Sequence, residues 1–496
     1  MGMKHRQRKN NVGKKRKRKD EYNSVDRLSE LPDDVLVIIL SLLSVKEAAT
    51  TSILSKRWRY VWPSTMALDF DAKFFDDEVY QNFIQLQPAL REQESLRYVN
   101  WVNHVVEQHR SPSIERFRVC FDIDSRFTSS IDKWIQFAMN KRVQILELDL
   151  HLFDCFTRNG AYSFPHTLLG LEKESALKLK HLDYEIPSLH SCQYHIGFEF
   201  LKVLHLQFVD VTGEVLEHFL YNCPVLECLT VSFATKSLVK LRVVGPSIAL
   251  KYLAIKWCTL ESIEIRDAKL VSFIYEGDAT NLLLSNVPFL VEVTISEGIA
   301  CNLVESYFYC RSIELPFTQL SCCLSQLEIF MLDIDLAVIP YNLFGFQVYN
   351  RDYVFPVLAN VKHLELTVKA NYDMDLFHLT SFMKASPLLQ RLVLKLNFTT
   401  LAGMGQIKSA GECPHHYLKV LEIVGYRAHT CVVQHVMHLI KSAVALEKII
   451  IHPVQRLNES FERVRGVEKV EEAKARDHAM QCLREKVPST IEFVCL

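Results

Sequence analysis

Residues 26–63 read DRLSELPDDVLVIILSLLSVKEAATTSILSKRWRYVWP, and this stretch decides the N-terminal part of the fold. Pro32 suits the start of a helix, because its ring fixes φ near the helical value. Asp33 and Asp34 follow it and complement the positive end of the helix dipole. We therefore predict a first helix that begins at Pro32 and extends to about Leu43.

Two further short helices are indicated by capping signals. Ser44 and Glu47 are spaced as a capping box, in which each side chain accepts a hydrogen bond from a backbone N–H at the helix start. Ser55 can cap a third helix, which carries Trp58 and ends near Pro63. The stretch is therefore predicted to fold as a three-helix module.

The first helix is apolar on nearly every side. Its apolar residues are Val35, Leu36, Val37, Ile38, Ile39, Leu40, Leu42 and Leu43. A helix of this kind must be covered on more than one side, and about 40 residues cannot supply a core that covers everything. The remaining face is therefore predicted to be covered by the downstream domain or by a second protein, since an exposed apolar surface usually marks an interface.

The same stretch resembles the plant-type F-box. The matching residues are Leu31, Pro32, Asp33, Asp34, Leu36, Ile39, Leu40, Val45 to Ala49, Ser52 to Trp58, and Trp62. The resemblance implies binding to the Skp-family linker of an SCF (Skp–cullin–F-box) ubiquitin ligase, and through that linker to a cullin. The positions that it assigns to linker binding are Leu31, Pro32, Leu36, Ile39, Leu40, Val45, Leu54 and Trp58, the last three as contacts or supports. Ser44 stands where many relatives carry Pro, and the capping box provides an equally good helix start there.

Residues 114–451 repeat the apolar pattern Φ-x-x-Φ-x-Φ. The copies are Ile114/Phe117/Val119, Val143/Leu146/Leu148, Leu179/Leu182/Tyr184, Leu201/Leu204/Leu206, Leu226/Leu229/Val231, Leu250/Leu253/Ile255, Leu270/Phe273/Tyr275, Leu290/Val293/Ile295, Leu324/Leu327/Ile329, Val361/Leu364/Leu366, Leu389/Leu392/Leu394, Leu418/Leu421/Ile423 and Leu446/Ile449/Ile451. Most intervals match the roughly 20–29 residues of leucine-rich repeats. From Leu179 onward, two longer intervals indicate loop insertions near residues 300–320 and 335–355. One such strand cannot bury its apolar face alone, but stacked neighbours can, so we predict a parallel sheet.

Prolines mark the start of several repeats. Pro224, Pro288 and Pro387 each lie two residues before a predicted strand, where proline ends a preceding helix and favours extended backbone. The predicted fold class is therefore α+β, with a three-helix F-box followed by a leucine-rich-repeat α/β solenoid that has a curved parallel sheet.

Five segments are predicted. They are a disordered basic tail (1–23), the F-box (24–66), a connecting helical segment (67–110), the repeats (111–454) and a C-terminal cap (455–496). The final repeats and the cap resemble the FBD-type C-terminal region of plant F-box/LRR proteins, on the basis of residues 418–423, 446–451, 475–483 and 491–496.

The basic tail differs from the rest of the chain. Residues 1–20 hold ten Lys or Arg and one acid, which leaves 47 bases and 57 acids elsewhere. Six consecutive cations, Lys14, Lys15, Arg16, Lys17, Arg18 and Lys19, are the kind of block that nuclear import receptors bind. We therefore expect the nucleus, the cytoplasm or both, with a solvated tail that carries no address as the alternative. The acidic body argues against nucleic-acid binding by the repeats.

Several classes of function are disfavoured. The longest nearly apolar run, Val35–Leu43, is too short to span a bilayer, and no apolar stretch of a secretory signal follows the basic start. The 14 Cys show no zinc-ligand spacing. Phosphate-binding and hydrolase motifs are missing from the sequence. We expect a non-catalytic protein without a cofactor or a metal.

Three functions remain open. The first is a substrate-recognition subunit, whose repeats bind an unknown target protein for ubiquitination and proteasomal degradation. The second is an F-box scaffold that acts in the nucleus without substrate turnover. The third is a nucleic-acid-binding repeat protein that docks through its tail. Some F-box/LRR relatives cradle small molecules, but no residue here singles out such a pocket. Outward strand residues such as Glu147 and Asp149 are candidates for target contact.

Overall fold

The structure is a computed structural model. It describes residues 28, 30–71, 88–150, 160–165, 197–234, 237–277, 280–296, 314–335, 354–371, 379–399, 414–453 and 466–496. The basic block Lys14–Lys19 and the repeat copy Leu179/Leu182/Tyr184 lie outside these residues. Within them, three short helices precede a long parallel sheet, so the predicted fold class is confirmed.

The N-terminal helices form what we call the helical module, residues 30–66. Its elements are α1 (Asp33–Leu40), α2 (Val45–Thr50) with a 3₁₀ turn (Thr51–Ile53), and α3 (Lys56–Val61) with a 3₁₀ turn (Trp62–Ser64). Pro32 is the N-cap of α1 rather than its first residue, and α1 ends at Leu40, three residues before the predicted end.

The predicted caps of α2 and α3 are confirmed. The backbone N–H of Glu47 donates to Ser44 Oγ at 3.2 Å, and the backbone N–H of Ser44 donates to Glu47 Oε2 at 3.0 Å. This is the reciprocal capping box, and the bonds from Ser44 also lower the pKa of the Glu47 carboxyl. At α3, the backbone N–H of Trp58 donates to Ser55 Oγ at 3.5 Å. Local sequence signals therefore determine where both helices begin.

The described chain contains further helices and nineteen strands. The helices are α4 (Pro88–Gln108), α5 (Thr128–Asn140, after a 3₁₀ turn Ser125–Phe127), α6 (Gly213–Asn222), α7 (Glu314–Gln319), α8 (Thr380–Ala385), α9 (Thr430–Ser442), α10 (Gly466–His478, followed by a π-helical turn Ala479–Leu483) and α11 (Arg484–Lys486). The strands are β1 (Ala67–Asp71), β2 (Arg116–Cys120), β3 (Ile145–Asp149), β4 (Tyr162–Ser163), β5 (Val203–Gln207), β6 (Val209–Asp210), β7 (Cys228–Ser232), β8 (Lys240–Val244), β9 (Tyr252–Lys256), β10 (Ser262–Arg266), β11 (Ser272–Glu276), β12 (Asn281–Ser285), β13 (Glu292–Ser296), β14 (Ile329–Asp335), β15 (His363–Asn371), β16 (Arg391–Thr399), β17 (Val420–Val424), β18 (Lys448–His452) and β19 (Glu492–Cys495).

Fourteen of these strands form one main sheet, in the order β1-β2-β3-β5-β7-β9-β11-β13-β14-β15-β16-β17-β18-β19. Every neighbouring pair is parallel. A second, outer sheet has the order β12-β10-β8, and β4 pairs with β6. Because strand order follows chain order, each repeat adds one strand beside the strand of the previous repeat.

The core lies on one side of the main sheet. Leu146, Leu204, Leu229 and Leu253 are aligned across neighbouring strands, and all four are buried. The residues between them on each strand are only partly buried, as the alternating burial of β3 shows. The opposite side of the sheet is therefore an open face, formed by the odd-numbered positions of the strands.

One repeat has a different frame from the prediction. The sequence predicted Leu324/Leu327/Ile329, but Phe330 is aligned with Val293 and Leu332 with Ile295. The correct copy is Leu327/Phe330/Leu332, and Ile329 lies on the open face. Of the two predicted insertions, residues 336–353 lie outside the described residues, while Glu314–Gln319 in the first insertion is a helix.

The prolines before the strands occupy tight turns. The backbone N–H of Leu226 donates to the carbonyl of Cys223 at 3.1 Å, and that of Leu389 donates to the carbonyl of Ser386 at 3.2 Å. Pro224 and Pro387 therefore occupy the second position of a four-residue turn, which the proline ring favours. The turn ends the preceding helix and starts the next repeat.

The helical module and the sheet share one core. Leu36, Trp58 and Trp62 belong to the same buried cluster as Leu68 and Phe70 of β1. The sheet thus begins with β1, inside the segment that the sequence assigned to a connection, and α4 follows it there.

Hydrogen bonds strengthen this junction. The backbone N–H of Met66 donates to Ser41 Oγ at 2.9 Å, and the buried His109 ring bonds the carbonyl of Thr65 at 3.0 Å. The module is therefore held against the first strands by both apolar packing and polar contacts.

Candidate functional site

Helix α1 has two apolar faces with different surroundings. Leu36 and Leu40, one turn apart, are 0% and 1% exposed and pack into the shared core. Ile38 and Leu42 are 62% and 83% exposed. Residues spaced by three or four positions share one side of a helix, so Val35, Ile38 and Leu42 follow one stripe that runs past the end of α1. This stripe is the face that the chain's own described residues leave exposed.

The turn after α2 adds two more apolar side chains. Ile53 is 85% exposed and Leu54 is 63% exposed. We call Val35, Ile38, Leu42, Ile53 and Leu54 the outer apolar residues. Full burial of one such side chain contributes about 1.5–3 kcal/mol. Four of the five are more than half exposed and Val35 is 37% exposed, so covering them would add a large stabilisation. Exposure on this scale within one small module is typical of an interface.

The eight residues predicted to bind a linker divide into three groups. Pro32 and Leu54 are exposed, and Leu31 and Ile39 are half-buried against the core. The third group is buried and consists of Leu36, Leu40, Val45 and Trp58. In this structure these four side chains pack inside the core, where Leu36 and Leu40 hold α1 against the rest of the chain. Contact of the eight residues with a linker stays a prediction.

An arginine fixes the start of α1. Arg57 on α3 donates from Nε to Asp33 Oδ1 at 2.7 Å, and its other nitrogen donates to the carbonyl oxygen of Leu31. These bonds join α3 to the segment that contains Pro32. The orientation of Leu31 and Pro32 therefore depends on a side chain 24 residues or more away in the sequence, which spacing arguments do not identify.

The second candidate surface is the open face of the main sheet. At its N-terminal end, Arg118 lies among three carboxylates, 2.8 Å from Asp71 and 3.4 Å from both Asp69 and Glu147. Burial lowers the pKa of the Arg118 guanidinium, but the neighbouring carboxylates raise it by a larger amount. The pKa of Arg118 is therefore raised overall. Arg116 pairs with Glu147 at 2.7 Å. This end is a closed ion-pair network, and it contains Glu147, one of the predicted target contacts.

The far end of the open face is charged in the same paired way. Lys395 pairs with Glu365, and Arg391 pairs with Glu422. His452 Nε2 is 2.9 Å from Glu422 Oε1. The charges of these strands therefore neutralise one another along the sheet.

The middle of the open face carries no ionisable side chain at the central strand position. Five strands in succession place there Thr230, Ala254, Ile274, Thr294 and Met331, which are in register with each other. All five are half-buried. We call these residues the neutral strip. With strands about 4.8 Å apart, the strip is about 19 Å long.

Three aromatic side chains stack at the edge beside this strip. Phe208, Phe233 and Trp257 directly follow β5, β7 and β9, and their rings are parallel within 8°. The centroid distances are 4.3 Å for the first pair and 5.7 Å for the second. We call these three residues the aromatic ladder. All three are half-buried and have positive φ values of 55–57°.

Neither a metal site nor a membrane span is found in the described ranges. They hold no group of three or more His, Cys, Asp or Glu side chains that could bind a metal ion. In the same ranges, no helix combines the length and the apolar character needed to cross a bilayer.

Comparison with known proteins identifies the family. The sequence profile described as At1g61320/AtMIF1, LRR domain, matches residues 105–496, and the F-box domain profile matches residues 28–66. F-box/FBD/LRR-repeat protein At5g22700 of Arabidopsis thaliana is 28% identical over 448 residues, which are 86% of this chain and 92% of that protein. Putative F-box/FBD/LRR-repeat protein At5g62970 of Arabidopsis thaliana is 27% identical over 429 residues, which are 81% of this chain and 87% of that protein.

The two profiles match the two structural parts. The F-box profile covers the helical module with its outer apolar residues, and the repeat profile covers most of the parallel sheet. The resemblance inferred from the sequence is thereby confirmed. Since the repeat profile alone spans more than half of its length, the chain belongs to the F-box/leucine-rich-repeat family, whose members are typically non-catalytic adaptors.

Proposed function

We propose that the chain is the substrate-recognition subunit of an SCF-type ubiquitin ligase. Its F-box binds a Skp-family linker and through it a cullin, while the repeats bind a target protein for ubiquitination and proteasomal degradation. The observation that carries the proposal is the exposed apolar stripe of α1, because Ile38 and Leu42 are largely uncovered while the opposite face of the same helix is buried. A linker that covers this stripe supplies the missing half of its packing.

The proposed mechanism is positional. One module holds the ligase and the other holds the target, so a lysine of the target gains a high effective concentration near the ubiquitin to be transferred. The shared core of the helical module and β1, together with the Met66–Ser41 hydrogen bond, supports this role. A flexible junction would spread the target over a larger volume and lower that concentration.

We propose further that the basic block Lys14–Lys19 directs import into the nucleus. A reporter fused to residues 1–22 should accumulate in the nucleus. The matched control replaces the six cations by serine and should remain in the cytoplasm. Equal distribution of the two reporters would contradict the import role.

The proposed function is tested by capture of a purified Skp-family linker with the full chain. Wild-type protein should retain the linker, and the Leu42→Asp variant should not. A target that is bound through the repeats should accumulate when the proteasome is inhibited. A partner that binds but keeps the same abundance would favour the nuclear scaffold over the degradation role.

A further inference from the structure

On the part of the open face that the structure describes, the lysines and arginines are already paired. Those within ion-pair distance of a carboxylate are Arg116, Arg118, Lys256, Arg391, Lys395 and Lys448. Lys369 on the same face also has an interaction partner. A phosphorylated or strongly acidic segment is recognised by arginines and lysines that converge on it. Here such a segment would first have to displace the chain's own carboxylates, so the open face disfavours it.

The neutral strip suits an uncharged ligand at the central position of its five strands, while the charged residues Lys256, Glu276 and Glu292 lie two positions away on the same strands. Ile274 and Met331 present apolar side chains, while Thr230, Ala254 and Thr294 are small enough to leave the backbone approachable. An acidic side chain placed on this strip would lose water without gaining a free cation, because Lys256 on β9 is already paired with Glu276. The strip's length of about 19 Å matches an extended segment of about six residues.

The aromatic ladder provides a second, independent observation. Phe233 and Trp257 lie three residues, or about 10 Å, beyond the strip residues Thr230 and Ala254 on β7 and β9, and Phe208 lies on the neighbouring strand β5. Its residues have the left-handed conformation, which is unfavourable for bulky side chains. In the outer sheet, the residues that directly follow β8, β10 and β12 also have positive φ values. They are Gly245, Asp267 and Asn286, all residue types that tolerate positive φ.

The two sheets differ in the residue types at these positions. After the outer strands, the positive φ values fall on residues that tolerate them, whereas in the aromatic ladder they fall on three large aromatic residues, for which this conformation is unfavourable. Stacked, half-exposed rings are a typical docking surface for proline and aromatic side chains. The ladder is therefore a second apolar surface beside the strip, separated from it on β9 by Lys256, which is paired with Glu276.

We propose that the neutral strip and the aromatic ladder together are the target-docking surface, and that the docking segment is an extended, uncharged stretch of about six residues whose recognition requires no phosphorylation. The proposal rests on the proposed function only in naming the ligand a target. The surface itself is defined by Thr230, Ala254, Ile274, Thr294 and Met331, with the three rings at its edge.

The test uses immobilised full chain and four pools of capped random 12-residue peptides. One pool is uncharged, one is acidic, one contains phosphoserine and one is basic. Bound peptides are identified by mass spectrometry. We expect the uncharged pool to be enriched at least about tenfold over the other three, and Ile274→Arg to remove most of that enrichment, since burying an unpaired charge is strongly unfavourable.

Leu283→Arg is the matched control. Leu283 is the third residue of β12 in the outer sheet and is 51% exposed, just as Ile274 is the third residue of β11. This variant should keep the enrichment. Thr294→Arg is a second strip variant, and Phe233→Asn removes the middle ring of the ladder. Unchanged thermal unfolding in each variant shows that lost binding is not lost folding.

Several outcomes would overturn the proposal. These are preference for the phosphoserine, acidic or basic pool, enrichment retained by Ile274→Arg, equal loss in Leu283→Arg, and no enriched pool at all. Self-association that Ile274→Arg abolishes would assign the strip to a second copy of the chain instead.

Linker capture by the same preparations separates this proposal from the proposed function. Ile274→Arg should still bind the linker, and Leu42→Asp should still select uncharged peptides. If the wild type selects uncharged peptides but does not bind the linker, the ligase role is contradicted while the docking surface is supported.

Discussion

Replacement of Leu42 tests whether the outer stripe of α1 is a binding surface. Leu42 is 83% exposed, and full burial of a leucine contributes about 1.5–3 kcal/mol, so covering it with a linker is worth about 1.2–2.5 kcal/mol. Leu42→Ala should therefore weaken linker binding by roughly 7- to 60-fold, at 1.4 kcal/mol per factor of ten. Leu42→Asp also places a carboxylate in an apolar contact and should weaken binding by more than about 100-fold.

The assay is calorimetric titration of the full chain with a purified Skp-family linker. Leu36→Ala is the contrasting variant, because Leu36 is buried and its truncation should lower the free energy of unfolding by about 2–5 kcal/mol. Leu42 variants should raise the dissociation constant and leave the melting temperature nearly unchanged. Leu36→Ala should lower the melting temperature and, at temperatures where the module is folded, leave the dissociation constant nearly unchanged. Unaltered linker affinity in Leu42→Asp would mean that the linker does not contact this stripe of α1.

Four further predictions concern other parts of the molecule. Ser44→Ala removes the capping box of α2 and should lower the free energy of unfolding by about 1 kcal/mol in chemical denaturation. Gly213→Ala should destabilise by at least about 2 kcal/mol, because a Cβ there would overlap the carbonyl oxygen of Lys240. Phe233→Asn loses ring stacking but relieves an unfavourable φ, so the free energy of unfolding should change by no more than about 1 kcal/mol while peptide binding is lost. Burial, with a smaller contribution from a neighbouring histidine, lowers the pKa of His435 to about 3, whereas the unfolded side chain titrates near 6.5. Between these pH values the unfolded state binds the extra proton, so stability should fall on acidification by up to about 1.4 kcal/mol per pH unit, and His435→Leu should flatten that slope.

Each of these predictions can fail in a recognisable way. Full stability of Ser44→Ala would mean that the cap contributes nothing to the folded module. A stable Gly213→Ala protein would show that α6 can move away from β8 without loss. Strong destabilisation of Phe233→Asn would make the ladder a packing element rather than a docking surface. An unchanged slope in His435→Leu would place the acid sensitivity in other buried groups.

The parts of the fold that depend on neighbouring residues were predictable. The caps at Ser44 and Ser55 form with residues three positions away, so the local sequence contains both partners of each hydrogen bond. The repeat pattern was also readable, since strands such as β7 and β9 need the same alternation of buried and open positions. Stacking of like strands then follows from the burial that a single repeat cannot provide.

The packing of α1 was not predictable from its own sequence. Leu36 and Leu40 on one side and Ile38 and Leu42 on the other are equally apolar, so periodicity does not say which side faces the chain's own core. That choice depends on β1 and the tryptophan-rich end of the module. The eight positions that the F-box resemblance assigned to linker binding therefore include both buried and exposed residues. They do not include the exposed Ile38 and Leu42.

Two errors of detail in the sheet have a similar origin. Leu324, Leu327, Phe330 and Leu332 are all buried, so two overlapping frames satisfy the repeat pattern, and only pairing with β13 selects the second. The outer strands were missed because their short Φ-x-Φ patterns, such as Leu241 with Val243, lie between the copies that define the main sheet. In both cases the deciding contacts are long-range.

Hydrogen–deuterium exchange on the full chain, with and without a Skp-family linker, shows whether the linker covers the outer apolar residues of the helical module. We expect slower exchange on linker addition in residues 35–43 and 51–54, with little change in β7, β9 and β11. Protection confined to the sheet, or no protection of the α1 segment under conditions where the linker is bound, would contradict this expectation.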